Sequence, residues 1–263
     1  MRLTDTRTGL PVAVRPGRAG LLRVRVRAGR AGRPFDLGDL RALLVGDLLL
    51  RVAETAGLQA LVGWRLPEVP AAQTEALAEA AGRLGVHSPS DEDVGPADVR
   101  VLAAETDGGE QPGDPVVPRC PVSLAVGPVR PTPAAANRSG RHPLLEPAGP
   151  EPLALRLALL DRPHRAPVAL TAPLLAAARA ELTRWRRLVA RAADSPSRPV
   201  LDEQVATAFA GFASDLDAGA ALAVLRGLCT RGDLPLGAVF ETFLRIDQVL
   251  ALELGREIGR PPE

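Results

Sequence analysis

Leu22-Arg23-Val24-Arg25-Val26, then Asp36-Leu37-Gly38-Asp39 running on through Arg41, Asp47 and Arg51 to Gly57, then Leu58-Gln59-Ala60-Leu61-Val62, is the stretch that decides the fold. The first run alternates apolar and basic residues, the period of a half-buried strand. Leu40, Leu43, Leu44 and Leu48 then recur at mixed helical spacing, Asp36 is a good N-cap and Gly57 a credible stop, so a helix is expected over 37–56. The third run returns as a strand. Strand, helix and strand in that order make a parallel pair, because parallel neighbours need a crossover connection. The fold class is therefore α/β with a Rossmann-like parallel sheet.

Upstream, residues 4–8 and 11–16 are expected as edge strands. Downstream, a second helix over 71–84 ends at Gly85, and residues 87–150 hold nearly half of the 26 prolines. Two strands, 98–103 and 121–126, are expected inside that segment to complete the sheet, with 107–118 and 130–150 as loops. From Glu151 the pattern is helical, over 153–160, 172–192, 202–214, 218–229 and 236–254, with Asp217 as the cap of the fourth. These helices are expected to form an α-helical bundle, which divides the chain into a nucleotide-binding-type domain (1–149) and a bundle domain (150–263). The apolar stripe of 172–192, from Leu174 through Leu182 and Trp185 to Ala192, suits core packing or a contact face, as does 236–254. Its other face carries Arg179, Arg184, Arg186, Arg187 and Arg191, which suits plain solvation or RNA phosphates.

At 263 residues and 46% hydrophobic, the chain can bury a full core, and a net charge of +1 offers no global field to gather nucleic acid. All 32 basic residues are Arg, so no lysine is available for catalysis. Cys120 and Cys229 lie far apart with no ligand-spaced neighbour, which suits reduced, buried thiols in a cytoplasm and argues against a metal. No signal-peptide layout or membrane span is expected.

The start of the helix at Asp36 has the layout of an anion site, since free N–H groups and the helix dipole meet there. Two carboxylates reverse that preference: like charges about 4 Å apart repel by roughly 4 kcal/mol at an effective dielectric near 20, before screening. Capping is the plainer use of both, with Asp36 as N-cap and Asp39 in the first turn. Neither use invites a phosphate.

The same segment resembles the first strand-to-helix turn of the cysteinyl-tRNA synthetases, class I aminoacyl-tRNA synthetases. That family writes His-Ile-Gly-His, then Arg, Asp, Arg and a closing Gly at this spacing; here both histidines are Asp36 and Asp39. Further blocks are similar in order: Asp5-Thr6-Arg7-Thr8; Glu68 as the one acid left of three; Pro150-Glu151, Arg156, Leu159-Leu160 and Pro163-His164-Arg165; and the run from Ser214-Asp215-Leu216-Asp217 to Leu225. The related mycothiol cysteine ligases, which adenylate cysteine before joining it to an amino-sugar, match 182–186 and 215–217 slightly better.

The resemblance implies an ATP-dependent, cysteine-activating ligase, and the departures imply its loss. Ala28 stands where the family has its first zinc ligand and the middle segment is largely deleted, so zinc is not expected. The loop that should carry Lys-Met-Ser-Lys-Ser holds Arg138 and Arg141 instead. No anticodon-binding tail is expected after the bundle.

The leading expectation is a degenerate, non-catalytic paralogue kept as a binding or regulatory scaffold, with a protein partner, no catalytic residues, no cofactor and no metal. The alternative is an enzyme of altered chemistry in which Asp36, Gly38, Asp39, Glu68 and Arg138 border the old adenylate pocket and meet ATP, a Mg²⁺-bound phosphate or a cationic substrate. The third is a tRNA-binding module. No nucleophile and base are paired in sequence, since His87, His142 and His164 are scattered.

Overall fold

The computed structural model describes residues 1–17, 20–90, 95–103, 122–131 and 151–260. A hairpin of β1 (Arg2–Thr4) and β2 (Pro11–Ala13) leads into β3 (Leu21–Arg27), α1 (Leu37–Thr55), β4 (Gln59–Arg65) and α2 (Ala71–Arg83). β5 (Val99–Ala103) and β6 (Val122–Val126) follow, all four central strands pairing in parallel in the order β4-β3-β5-β6. The parallel α/β sheet read from the sequence is present.

Period two decides which face is buried. Leu22, Val24 and Val26 of β3 lie in the core, Val24 in register with Val62 and Val99 and Val26 with Val101, whereas Arg23, Arg25 and Arg27 alternate onto the other face. α1 packs on the apolar face so closely that a Cβ at Gly46 would run into Val26. It is covered elsewhere by α2 and by a later helix, and fifteen of its 19 residues are buried, which explains its weak amphipathicity.

Two short strands were hidden in the sequence. β7 (Val129–Pro131) pairs in parallel with β8 (Val168–Leu170), so the expected loop over 130–150 begins in a strand; the rest of it lies outside the described residues, as do 107–118. Three-residue strands that hold or adjoin proline lack the length for a periodic signal. β1 is also shifted: residues 6–8 turn rather than extend, because the Asp5 carboxylate accepts from the Arg7 N–H at 3.0 Å and pairs with its guanidinium.

The helices after residue 150 are α3 (Pro152–Leu160), α4 (Ala172–Ala192), α5 (Asp202–Ala213), α6 (Ala218–Leu228) and α7 (Leu236–Leu250). Asp217 caps α6 as expected. α7 stops four residues short of the expected end, because the Asp247 carboxylate accepts from the N–H groups of Leu252 and Leu254 while Ala251 turns left-handed at φ 49°. Leu182, Trp185 and Val189 of α4 meet Phe243 and Ile246 of α7 in a core continuous with that under the sheet, so the two apolar stripes are interior surfaces. Arg186 leaves the expected basic face: it is buried, donating to the carbonyls of Leu252 and Glu253, while Arg179, Arg184, Arg187 and Arg191 are exposed. Among the described residues no helix is long and apolar enough to cross a membrane.

Asp47, in the middle of α1, ties this core together. Its carboxylate accepts from Arg51 at 2.9 Å, from the fully buried Arg156 of α3 at 2.8 Å, and from the ring and backbone N–H of His87. Burial alone would push the Asp47 carboxyl up, but Arg156 and Arg51 outweigh it and hold it below the usual carboxylate range. Arg156 also donates to the carbonyls of Leu84 and Leu250, where α2 and α7 end.

Replacing Asp47 by Asn strands the Arg156 charge in the core and is expected to cost about 3–5 kcal/mol in urea denaturation. Because the folded carboxyl titrates lower than the unfolded one, this stability is present above the unfolded value of about 4 and is lost as pH falls through the folded one. The acid limb of the stability profile is thus expected to flatten in Asp47→Asn.

Candidate functional site

β3 ends at Arg27, and Ala28 and Gly29 carry the chain towards the tip of α1. Gly29 sits at φ +81°, and a side chain there would strike Phe35 and Pro67. Ala28 is fully buried, its N–H donating to the Arg65 carbonyl, so the position aligned with a zinc ligand is core. Among the described residues no three His, Cys, Asp or Glu side chains stand together as a metal site.

Asp36 is the N-cap. Its Oδ1 accepts from the N–H groups of Gly38 at 2.7 Å and Asp39 at 3.0 Å, and Asp39 Oδ2 answers by accepting from the Asp36 N–H at 2.9 Å. This is a reciprocal capping box with aspartate in both places. Asp39 Oδ1 also accepts from the Gly29 N–H at 2.6 Å, fixing the strand to the helix.

Arg33, unremarked in the sequence, bonds both carboxylates. The two acids are therefore not a free pair, and the repulsion expected for an arriving phosphate is reduced by one guanidinium. Nor does Asp39 rim a pocket: it is 0% exposed and turned inward, where burial above all pushes its carboxyl up against the pull of the Asp36 and Gly29 N–H groups. Asp36 is exposed, Gly38 lies half-buried with the Val129 N–H nearby, and Glu68 is exposed on the connection before α2. Arg138, Arg141, His142 and Cys120 lie outside the described residues.

One turn further along, Arg41 donates to the carbonyls of Gly127 at 3.0 Å and Pro163 at 2.9 Å, and also to Ala166. Burial pushes its guanidinium down to about 10. Gly127 admits this contact, since a Cβ there would overlap the backbone of Arg165 and Ala166. His164 is buried nearby and burial pushes it down, against the attraction of Asp215. His87 belongs to the Asp47 cluster on another part of α1. The half-buried Cys229 thiol is pushed up by burial, away from nucleophilic use.

No family model matches the chain. Over 77 residues, 29% of its length, it is 47% identical to the L-cysteine:1D-myo-inositol 2-amino-2-deoxy-alpha-D-glucopyranoside ligase of Streptomyces griseus subsp. griseus. The match spans only 18% of that ligase. It supports a distant relationship to the cysteinyl-tRNA synthetase-like family.

Replacing Asp39 by histidine, Asp39→His, leaves the buried Gly29 N–H and the half-buried Asp36 N–H without their acceptors. At about 1–3 kcal/mol for each buried donor left unmade, a loss of about 2–5 kcal/mol is expected in thermal or urea unfolding. Asp36→Ala removes an exposed cap and is expected to cost about 1 kcal/mol.

Proposed function

We propose that the chain is an internally trimmed, non-catalytic paralogue of the cysteine-activating ligases, working in the cytoplasm as a binding or regulatory scaffold for a protein partner. On this reading the Rossmann-like unit up to residue 149 has kept its frame and lost its chemistry, and the helices from residue 150 form its bundle module. The observation that carries it is the state of the α1 tip. The Gly38 and Asp39 N–H groups, which a phosphate would need, already donate to Asp36, and Asp39 spends both oxygens on backbone donors. A ligand would have to displace a charge-assisted cap before meeting those groups.

The sequence adds to this: no lysine stands in for the two of the family's mobile loop, and Ala28 cannot bind zinc. The partner reads surface other than the apolar stripes of α4 and α7, which the core consumes.

Isothermal titration of the whole chain with ATP, a cysteinyl-adenylate analogue and tRNA tests the reading, alongside pyrophosphate exchange. No heat from the first two ligands and no exchange are expected. Tight adenylate binding with exchange would restore an active ligase. Salt-dependent tRNA binding without adenylate binding would make the chain a tRNA-binding module instead.

A further inference from the structure

The ends of α1 and α7 enclose a shallow depression of about 380 Å³ lined by Arg51, Glu54, Thr55, His87, Arg245 and Gln248. It lies at the opposite end of α1 from Asp36; at 1.5 Å per residue, the 19 residues of the helix span roughly 28 Å. Its volume is within the range of sites for small molecules, about 300–1,000 Å³.

Its positive charge comes from two lining arginines, Arg51, which stands on a buried cluster, and Arg245. The Asp47 carboxylate faces two guanidiniums, and because Arg156 is wholly buried only that of Arg51 reaches the depression. Asp247, whose carboxylate accepts from the Leu252 and Leu254 N–H groups, also attracts Arg156 and offsets its charge. Arg51 spends Nε on Asp47 and Nη2 on the Gly85 carbonyl, which leaves Nη1 to a ligand. The His87 Nδ1, 2.7 Å from Asp47 Oδ1, carries its proton towards that carboxylate.

Arg245 supplies the second cation from α7. Its guanidinium lies 5.2 Å from the Phe209 ring centroid and donates to Gln248 Oε1 at 2.7 Å, so it is held in place although exposed. That bond occupies the amide oxygen of Gln248, whose nitrogen is the group with hydrogens to donate. The Thr55 hydroxyl donates to the Val52 carbonyl and offers only acceptors. Glu54 opposes the two arginines from the rim, where it is exposed and able to swing into water.

We propose that this depression binds a small oxyanion, a phosphate group or a carboxylate, between Arg51 and Arg245 with the Gln248 amide as a third donor. Guanidinium forks suit the planar, paired oxygens of both chemistries. Since Arg51 reaches Asp47 and hence Arg156, the ligand tightens the cluster that ties α1 to α3. The site does not depend on the scaffold reading, because it shares no residue with the α1 tip.

The test is titration of the full chain with inorganic phosphate and, separately, acetate at fixed ionic strength, read by calorimetry and by the thermal midpoint. Saturable binding of one anion or both is expected, the better one identifying the chemistry, with a midpoint that rises as the site fills. Arg245→Gln is expected to weaken binding at least ten-fold and Glu54→Gln to tighten it several-fold, both at exposed positions, with the unliganded fold checked by circular dichroism. Arg179→Gln, an exposed arginine of α4, is the control and leaves binding unchanged. Absence of saturable binding by either anion, or equal binding by wild type and Arg245→Gln, overturns the proposal. So does a loss in Arg179→Gln that matches the loss in Arg245→Gln.

Discussion

The bond between Asp47 and Arg156 is the constraint on which the rest of the molecule turns. A lone guanidinium in an apolar core would be prohibitive, and so would a lone carboxylate. Their meeting fixes α3 against the middle of α1. The remaining donors of Arg156 close off the carbonyls where α2 and α7 end, so one side chain sets the relative positions of four helices. Arg41 and Arg186 act in the same manner, each gathering carbonyls from segments that have left regular structure. A lysine, with its compact ammonium, would not span such dispersed acceptors, so the exclusive use of arginine here has structural consequences.

Much of the frame was legible in the sequence because it rests on local chemistry. The alternation of Arg23, Val24, Arg25 and Val26, the cap at Asp36 and the stop at Gly57 each have their cause within a few residues. α4 was read to its last residue from the spacing of Leu182, Trp185, Val189 and Ala192. Where the reading failed, the cause lay far along the chain or in too few residues: β7 and β8 are three residues each, and α7 ends because Asp247 reaches forward to Leu252 and Leu254. The candidate site was legible in its caps and illegible in its charges. Nothing local marks Arg33 as the partner of both aspartates, or His87 as a neighbour of Asp47.

The residues through which the chain resembles the cysteine-activating enzymes fall largely into one group. Arg41, Asp47, Arg51, Arg156, Arg165 and Asp215 are engaged with other parts of the same chain, in carbonyl clamps and ion pairs. The departures, Ala28, Asp36 and Asp39, gather at the end of β3 and the tip of α1. Likeness in sequence therefore reports here on how the frame is held, and these differences collect at one end of the sheet.

Asp215 and Leu216 both occupy the left-handed region, at φ 59° and 56°, a costly conformation for residues with a Cβ. The strain places the Asp215 carboxylate on the Thr4 N–H and its own N–H on the Arg2 carbonyl, a contact that spans 211 positions. The pairing of β1 with β2 closes within a dozen residues, whereas the tie that docks this hairpin beside α6 must bring together segments some two hundred positions apart. One small hairpin thus joins the cheapest kind of contact in loop-closure entropy to one of the dearest.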